Sequence, residues 1–182
     1  MEKKDLKPAG VFKYFEEICQ VPRPSKKEEK IIAYLKAFGA KHNLETNVDE
    51  AGNVLIKKPA TPGKENLQTV ILQSHIDMVC EKNNDVQHDF LTDPIETEID
   101  GEWLKAKGTT LGADNGIGVA TELAILADDS IEHGPLECLF TVDEETGLTG
   151  AFELKEGFMS GDILLNLDSE DEGEIFIGCA GG

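Results

Sequence analysis

The feature that most constrains this chain is a set of apolar, strand-like runs that each end in a histidine or a carboxylate. The runs 69–74, 136–142 and 163–167 are dense in apolar residues with little polar alternation, as expected for strands covered on both faces. Acidic or imidazole side chains follow directly after each run. Because functional residues in α/β sheets collect at the carboxyl ends of the strands, these side chains are predicted to share one rim of a sheet.

Three further segments have the apolar spacing of amphipathic helices. They cover residues 8–21, 31–38 and 117–127. Ser25 followed three residues later by Glu28 has the spacing of a capping box, which predicts the start of the second helix.

Two hairpins complete the predicted elements. Extended runs flank a turn at 49–53, and a second, more exposed pair surrounds Asp100 and Gly101. Helices that alternate with continuous apolar strands favour an α/β fold, a three-layer sandwich with a mixed, mostly parallel sheet. We expect residues 1–182 to form part of a single globular domain, since 40% hydrophobic residues suffice for a core.

The net charge of −19 excludes several classes of partner. Nucleic acids and anionic lipids need positive surface, so we expect no nucleic acid and no membrane partner. No apolar run approaches the roughly 18 residues of a membrane helix, and the first residues lack the apolar core of a signal peptide. A cytoplasmic location is the simplest prediction.

The cysteines offer no metal or redox motif. They are far apart in sequence and form no CxxC pair, so we expect reduced thiols at Cys19, Cys80, Cys138 and Cys179.

His75 and Asp77 form the first candidate site. In an extended strand end, residues two apart point to the same side, so the carboxylate can orient the ring. A metal-bound histidine commonly donates its other N–H to a carboxylate. Asp77 is therefore interpreted as a partner of His75 rather than as a ligand.

Asp114 lies in a glycine-rich turn just before a predicted helix. A carboxylate at this position is either a helix N-cap or a metal ligand. The presence of ligand candidates at three other strand ends favours the second interpretation.

Glu144 and Glu145 are neighbours, and neighbours on an extended chain point to opposite faces. This predicts two roles, one glutamate holding metal and the other accepting a proton from the attacking water. At Asp168, the following acidic run superficially suggests a calcium loop, but its twelfth position is Cys179 rather than glutamate. There is also no Gly-x-Ser-x-Gly elbow for a serine nucleophile.

One imidazole and three carboxylates suit Zn²⁺, Co²⁺ or Mn²⁺ better than a soft metal. With Asp114 bridging, two ions about 3.5–4 Å apart are feasible. The pattern as a whole indicates metal-assisted hydrolysis.

The longest motifs resemble a known family. The blocks LQSHIDMVCEKN, KGTTLGADNGIGVA, TVDEETGLTGAFEL and LLNLDSEDEGEIFIGCAGG, with VPRPSKKEEKIIAYL near the start, closely resemble the bacterial aminoacyl-histidine dipeptidases. These are carnosinase-like members of the di-zinc aminopeptidase and carboxypeptidase superfamily. The resemblance covers nearly the whole chain.

The resemblance implies a role for each candidate. His75 and Asp168 would hold one zinc, Asp114 would bridge and Glu145 would hold the other. Glu144 would be the general base, and Asp77 would steady His75. A cis peptide is expected after the bridging aspartate.

The implied activity is hydrolysis of Xaa-His dipeptides, with a dipeptide substrate and a homodimer of the intact protein. The alternatives are a related exopeptidase or N-acyl amino acid deacylase, or a non-catalytic metal-binding module. The family also has a lid domain and a C-terminal segment with a further zinc-binding histidine. Since nothing similar occurs here, we expect an N-terminal fragment of the catalytic domain with weak metal binding and little activity.

Overall fold

A five-stranded mixed sheet organises the chain in a computed structural model, which describes residues 2–169 and 173–178. The strands of the chain are β1 (Glu45–Val48), β2 (Val54–Lys58), β3 (Val70–His75), β4 (Thr97–Asp100), β5 (Trp103–Ala106), β6 (Leu136–Thr141) and β7 (Ile163–Asn166). The sheet has the order β1-β2-β6-β3-β7, while β4 and β5 form a separate hairpin. Only β2 runs against its neighbours, so four of the five strands point the same way. The predictions of an α/β fold with a mixed, mostly parallel sheet and of two hairpins are confirmed.

The helices follow the predicted apolar spacing. They are a short 3-10 helix (Lys3–Asp5), α1 (Ala9–Cys19), α2 (Glu29–Lys41), α3 (Ala113–Ala127) and α4 (Thr149–Phe152). Helix α1 packs on α3, and α3 packs on β3. The regular part of α3 begins only after Asn115, because the backbone angles of Asp114 and Asn115 are not helical.

The sheet separates a large core from a small one. In β2, Val54 and Ile56 join the cluster formed with α1, α2 and α3, whereas Leu55 faces the other side. All three are fully buried, and burial of each such side chain contributes about 1.5–3 kcal/mol. On the second face, segment 154–159 supplies the covering apolar side chains among the described residues.

The register of the central strands positions one edge of the sheet. Strands β6, β3 and β7 are adjacent and parallel, with His75 paired to Thr141. The segments that follow β6 and β7 therefore emerge beside His75. This is the rim that the strand-end pattern predicts.

None of the helices within the described residues is long and apolar enough to span a membrane. Cys19 and Cys138 are buried free thiols and Cys80 is partly buried, as expected for reduced cysteines. Cys179 and residues 170–172 of the acidic run lie outside the described residues.

Candidate metal centre

Four of the six predicted site residues converge on the Nε2 side of the fifth, the imidazole of His75. Its Nε2 atom lies 3.0 Å from Oδ1 of Asp114, 3.9 Å from Oδ2 of Asp168 and 4.0 Å from Oε2 of Glu144. Potential ligand atoms of His75, Asp114 and Asp168 all lie within 4.8 Å of one another, and so do those of His75, Glu144 and Glu145. The structure therefore brings the predicted ligands together, although their roles as ligands stay predictions.

Asp77 is the sixth predicted residue and lies behind the ring. Its Oδ1 atom is 3.3 Å from Nδ1 of His75, on the side of the imidazole away from Asp114, and both side chains are almost fully buried. This leaves Nε2 facing the carboxylate cluster. The arrangement matches the carboxylate–histidine pairing that fixes ring orientation in metal sites.

Asp77 also holds two other segments. Its Oδ1 accepts the backbone N–H of Glu144 at 3.0 Å, and its Oδ2 accepts the N–H of Glu145 at 3.2 Å and the Ser25 hydroxyl at 2.7 Å. Burial raises the pKa of Asp77, but the His75 imidazole 3.3 Å away and hydrogen bonds from Ser25 and Glu144 outweigh it and lower the pKa to about 2. Asp77 is therefore a fixed anion that organises the site.

Asp114 faces His75 rather than capping helix α3. Within the described part of the chain its carboxylate forms no helix-capping hydrogen bond. The peptide bond between Asp114 and Asn115 is cis, as the resemblance implies. Gly112 has a positive φ of 67°, where a Cβ would come within 2.5 Å of the Arg23 guanidinium, so glycine is required at this position.

The predicted opposition of Glu144 and Glu145 is wrong. Both side chains share a cluster with His75 instead of pointing to opposite faces. The cause is local, because Asp143 adopts a left-handed conformation with φ of 50° and ends the extended strand before the two glutamates. The division of roles between them remains a prediction that rests on the resemblance.

Burial and neighbouring charges shift the pKa values of several groups in the cluster. Burial opposes protonation of His75, yet the Asp77 and Asp114 carboxylates raise its pKa to about 9. Burial raises the pKa of Asp168 to about 6, with His75 opposing this shift and Asp114 adding to it. Burial likewise raises the pKa of Glu145, with His75 opposing. The cluster holds more negative charge than one imidazolium can balance.

A divalent cation fits this cluster chemically. Apart from His75, none of the described basic residues forms an ion pair with the carboxylates of Asp114, Glu144 or Asp168. One imidazole nitrogen and several carboxylate oxygens form the donor set that Zn²⁺, Co²⁺ and Mn²⁺ accept. A bound dication would stabilise the ionised carboxylates that burial and mutual repulsion disfavour.

Three polar residues before α2 contact the segments that carry the site, namely Arg23, Ser25 and Glu28. The spacing of Ser25 and Glu28 predicted a helix cap instead. The capping box predicted from Ser25 and Glu28 is wrong, because no side-chain cap bond is present at the start of α2. Ser25 instead donates to Asp77, and Glu28 accepts the backbone N–H of Asp143 at 3.0 Å. Arg23 contacts the segments on both sides of the cluster. A charged residue between two prolines was the sole sequence signal for it.

Comparison with known proteins places the chain among peptidases. Residues 71–179 match the family described as Peptidase family M20/M25/M40. The chain is 52% identical over 181 residues to the cytosol non-specific dipeptidase of Escherichia coli, covering 100% of this chain and 37% of that protein. The crystal structure of aminoacylhistidine dipeptidase from Vibrio alginolyticus superposes with a TM-score of 0.95 at 55% identity, covering 98% of this chain and 36% of that one.

A more distant similarity covers a similar share of the chain. The structure of aminopeptidase PepT from Bacillus cereus superposes with a TM-score of 0.75 at 26% identity, covering 89% of this chain and 43% of that one. The chain thus spans less than half the length of each of these three relatives.

Proposed function

The chain belongs to peptidase family M20/M25/M40, and from this premise we propose that the whole protein is a metal-dependent dipeptidase acting on Xaa-His dipeptides. The observation that carries the proposal is the convergence of Asp114, Glu144 and Asp168 within 4.0 Å of Nε2 of His75. The two dipeptidase relatives, with 52% and 55% identity, support the reaction class.

Membership of this family implies the use of a divalent metal. We propose zinc, with Co²⁺ or Mn²⁺ able to replace it. His75 and Asp168 would hold one ion, Asp114 would bridge and Glu145 would hold the second. The short distance from His75 to Asp114 and the joint cluster of His75 with Glu145 support this assignment.

The residues of this chain then divide the work of hydrolysis. A bound divalent ion supplies an activated water near neutral pH and polarises the scissile carbonyl. Glu144 accepts the proton of the attacking water and donates it to the leaving amine. Asp77 keeps the His75 ring in place and, through the N–H of Glu144, keeps the base next to it.

The names of the relatives differ in specificity, so the substrate needs its own test. One relative is named a non-specific dipeptidase and the other an aminoacylhistidine dipeptidase. The whole protein is assayed with β-Ala-His, Ala-His, Ala-Leu and N-acetyl-His, with and without zinc. We expect zinc-dependent release of histidine from Xaa-His dipeptides. Zinc-dependent cleavage of N-acetyl-His alone would replace the proposal by a deacylase, and no zinc-dependent cleavage of any substrate would reject it.

An aminopeptidase that accepts longer peptides is the second candidate, because the Bacillus cereus relative is named an aminopeptidase. Adding the tripeptide Ala-Ala-His to the same assay distinguishes the two. A dipeptidase leaves it intact, whereas an aminopeptidase releases alanine from it.

The remaining proposals concern the chain's place in the whole protein. Because the chain covers 37% of its Escherichia coli relative, we propose that it is the N-terminal part of the catalytic domain. Further residues would then complete the site, so this chain alone would bind metal weakly and hydrolyse little. The name of that relative supports a cytosolic location. A homodimer stays a prediction, which the mass of the whole protein in solution tests.

A further inference from the structure

Arg23 is a buried cation that lies beneath the candidate metal centre. Arg23 is 3% exposed, and among the described residues no carboxylate forms an ion pair with its guanidinium. A buried charge without such a partner is costly unless hydrogen bonds satisfy it. Its hydrogen-bond partners therefore indicate what the residue does.

Those partners are backbone carbonyls of two segments that carry site residues. Nη1 donates to the carbonyls of Ile76 and Asp77, each at 3.1 Å, just after His75. Nη2 donates at 2.5 Å to the carbonyl of Gly112, two residues before Asp114. One planar guanidinium thus spans the end of β3 and the start of α3.

Two glycines leave room for this group. A Cβ at Gly112 would lie 2.5 Å from Nη2 of Arg23, and a Cβ at Gly116 would lie 2.7 Å from it. The backbone next to Arg23 is also fixed, since Pro24 forms a parallel bridge with Met78. The guanidinium is therefore enclosed by the backbone on both sides of Asp114.

We propose that Arg23 is a positioning residue that sets the separation of His75 and Asp114, and through it the affinity of the site for metal. The two terminal nitrogens of a guanidinium are held in one rigid fork, so the carbonyls bound to them keep a fixed spacing. A lysine has one nitrogen and cannot hold both segments at that spacing. This inference rests on the proposed function, because it takes His75 and Asp114 as ligands.

The test compares Arg23→Lys and Arg23→Met with a matched control. Lys58 is also a buried cation that donates to backbone carbonyls, those of Ile125 and Asp128, with a further ion pair to the exposed Asp129 at 3.6 Å. Lys58 pairs with Leu136 at the start of β6, whereas His75 pairs with Thr141 at its end. Lys58→Met therefore removes a similar set of bonds without touching the His75 or Asp114 segments. Zinc affinity is measured by chelator competition on the whole protein, together with the melting temperature.

We expect both Arg23 variants to bind zinc about 10- to 100-fold more weakly, the range typical of residues that orient metal ligands. Lys58→Met should lower the melting temperature and leave zinc affinity within about twofold, since it makes no contact with a ligand segment. Folded Arg23 variants with wild-type zinc affinity would overturn the proposal. If Arg23→Met does not fold, Arg23→Lys, which keeps the charge, decides.

A metal-free measurement separates this inference from the proposed function. The ¹⁵N resonances of the His75 ring in the whole protein are assigned by substituting His75. These resonances report the contact between Nε2 and Asp114. A shift in Arg23→Lys but not in Lys58→Met supports the positioning role, and no shift contradicts it. Failure of the wild-type protein to bind zinc would instead reject the proposed function.

Discussion

The carboxylate of Asp77 accepts the backbone N–H of Glu144 at 3.0 Å, which connects the segment after β3 directly to the segment after β6. The same oxygen lies 3.3 Å from Nδ1 of His75. A single buried anion thus orients the predicted histidine ligand and the predicted general base together. Loss of this anion should affect metal binding, catalysis and stability at once.

Asp77→Asn should remove a pH-dependent part of the stability. The wild-type pKa of about 2 lies below the ordinary value of 3.8, so ionised Asp77 stabilises the fold above pH 3.8. That contribution, about 2 kcal/mol, is lost as the pH falls from 3.8 through 2. Urea unfolding of the metal-free proteins between pH 2 and pH 6 measures it. The difference between wild type and variant should shrink as the pH falls, and a constant difference would contradict the assignment.

Glu144→Gln should separate catalysis from metal binding. Glutamine cannot accept the proton of the attacking water, so the turnover of the whole protein should fall by about 10²- to 10⁴-fold. The zinc content should stay unchanged, because Glu144 is not proposed as a ligand. Glu156→Gln, an exposed change, is the control and should keep full activity. Equal activity of both variants would favour a metal-binding module without catalysis over a dipeptidase.

Glu122 lies in α3 and is fully buried beneath β3, where its Oε1 accepts the Ser74 hydroxyl at 2.6 Å. Burial raises its pKa well above 4.5, so the folded protein holds this proton to a higher pH than the unfolded chain does. In the unfolded chain Glu122 ionises above pH 4.5, so its contribution lowers the free energy of unfolding further as the pH rises. Glu122→Gln should therefore gain stability relative to wild type as the pH rises above 4.5, measured by urea unfolding from pH 4.5 to pH 8.

The exposed substitution Glu98→Gln is the control for Glu122→Gln and should show the same pH dependence as wild type. If Glu122→Gln also parallels wild type across this range, the buried carboxyl is not neutral in the folded protein.

Gly118→Ala should be destabilising where Gly10→Ala is not. A Cβ at Gly118 would lie 2.1 Å from Oδ1 of Asn115 and 3.0 Å from Cβ of Ser74, whereas one at Gly10 would meet only Cβ of Ala124 at 3.5 Å. Overpacking of this kind costs about 1–3 kcal/mol. Gly10→Ala, which replaces a helical glycine without a clash, should leave the stability unchanged or raise it by up to about 1 kcal/mol. Thermal unfolding compares the two, and equal stabilities would contradict the close packing of α3 on β3.

Much of the site could be predicted from the sequence because its residues follow local patterns. Continuous apolar runs predict strands β3, β6 and β7, and in a parallel sheet their ends meet at one edge. The register that pairs His75 with Thr141 then brings the segments after β6 and β7 to the same imidazole. The strand ends supplied the candidates His75, Glu144, Glu145 and Asp168, the glycine-rich turn supplied Asp114, and the role predicted for each comes from the family resemblance.

The incorrect predictions concern interactions that the local pattern does not contain. Ser25 and Glu28 have the spacing of a capping box, but their partners Asp77 and Asp143 lie far away in sequence. The orientation of Glu144 and Glu145 depends on a single left-handed residue, Asp143, which no turn motif marks. Arg23 donates to three backbone carbonyls. Because every residue has such a carbonyl, no sequence pattern marks these partners. Hydrogen bonds between segments distant in sequence therefore determine the positions of these side chains, and residue spacing alone does not reveal them.

The most direct test of the account is anomalous scattering at the zinc edge from crystals of the whole protein soaked in zinc. We expect a peak about 2 Å from Nε2 of His75 and from a carboxylate oxygen of Asp114, with Asp168 or Glu145 completing the coordination. A peak elsewhere, or none while these side chains keep their metal-free positions, would contradict the claim that this cluster is a metal centre.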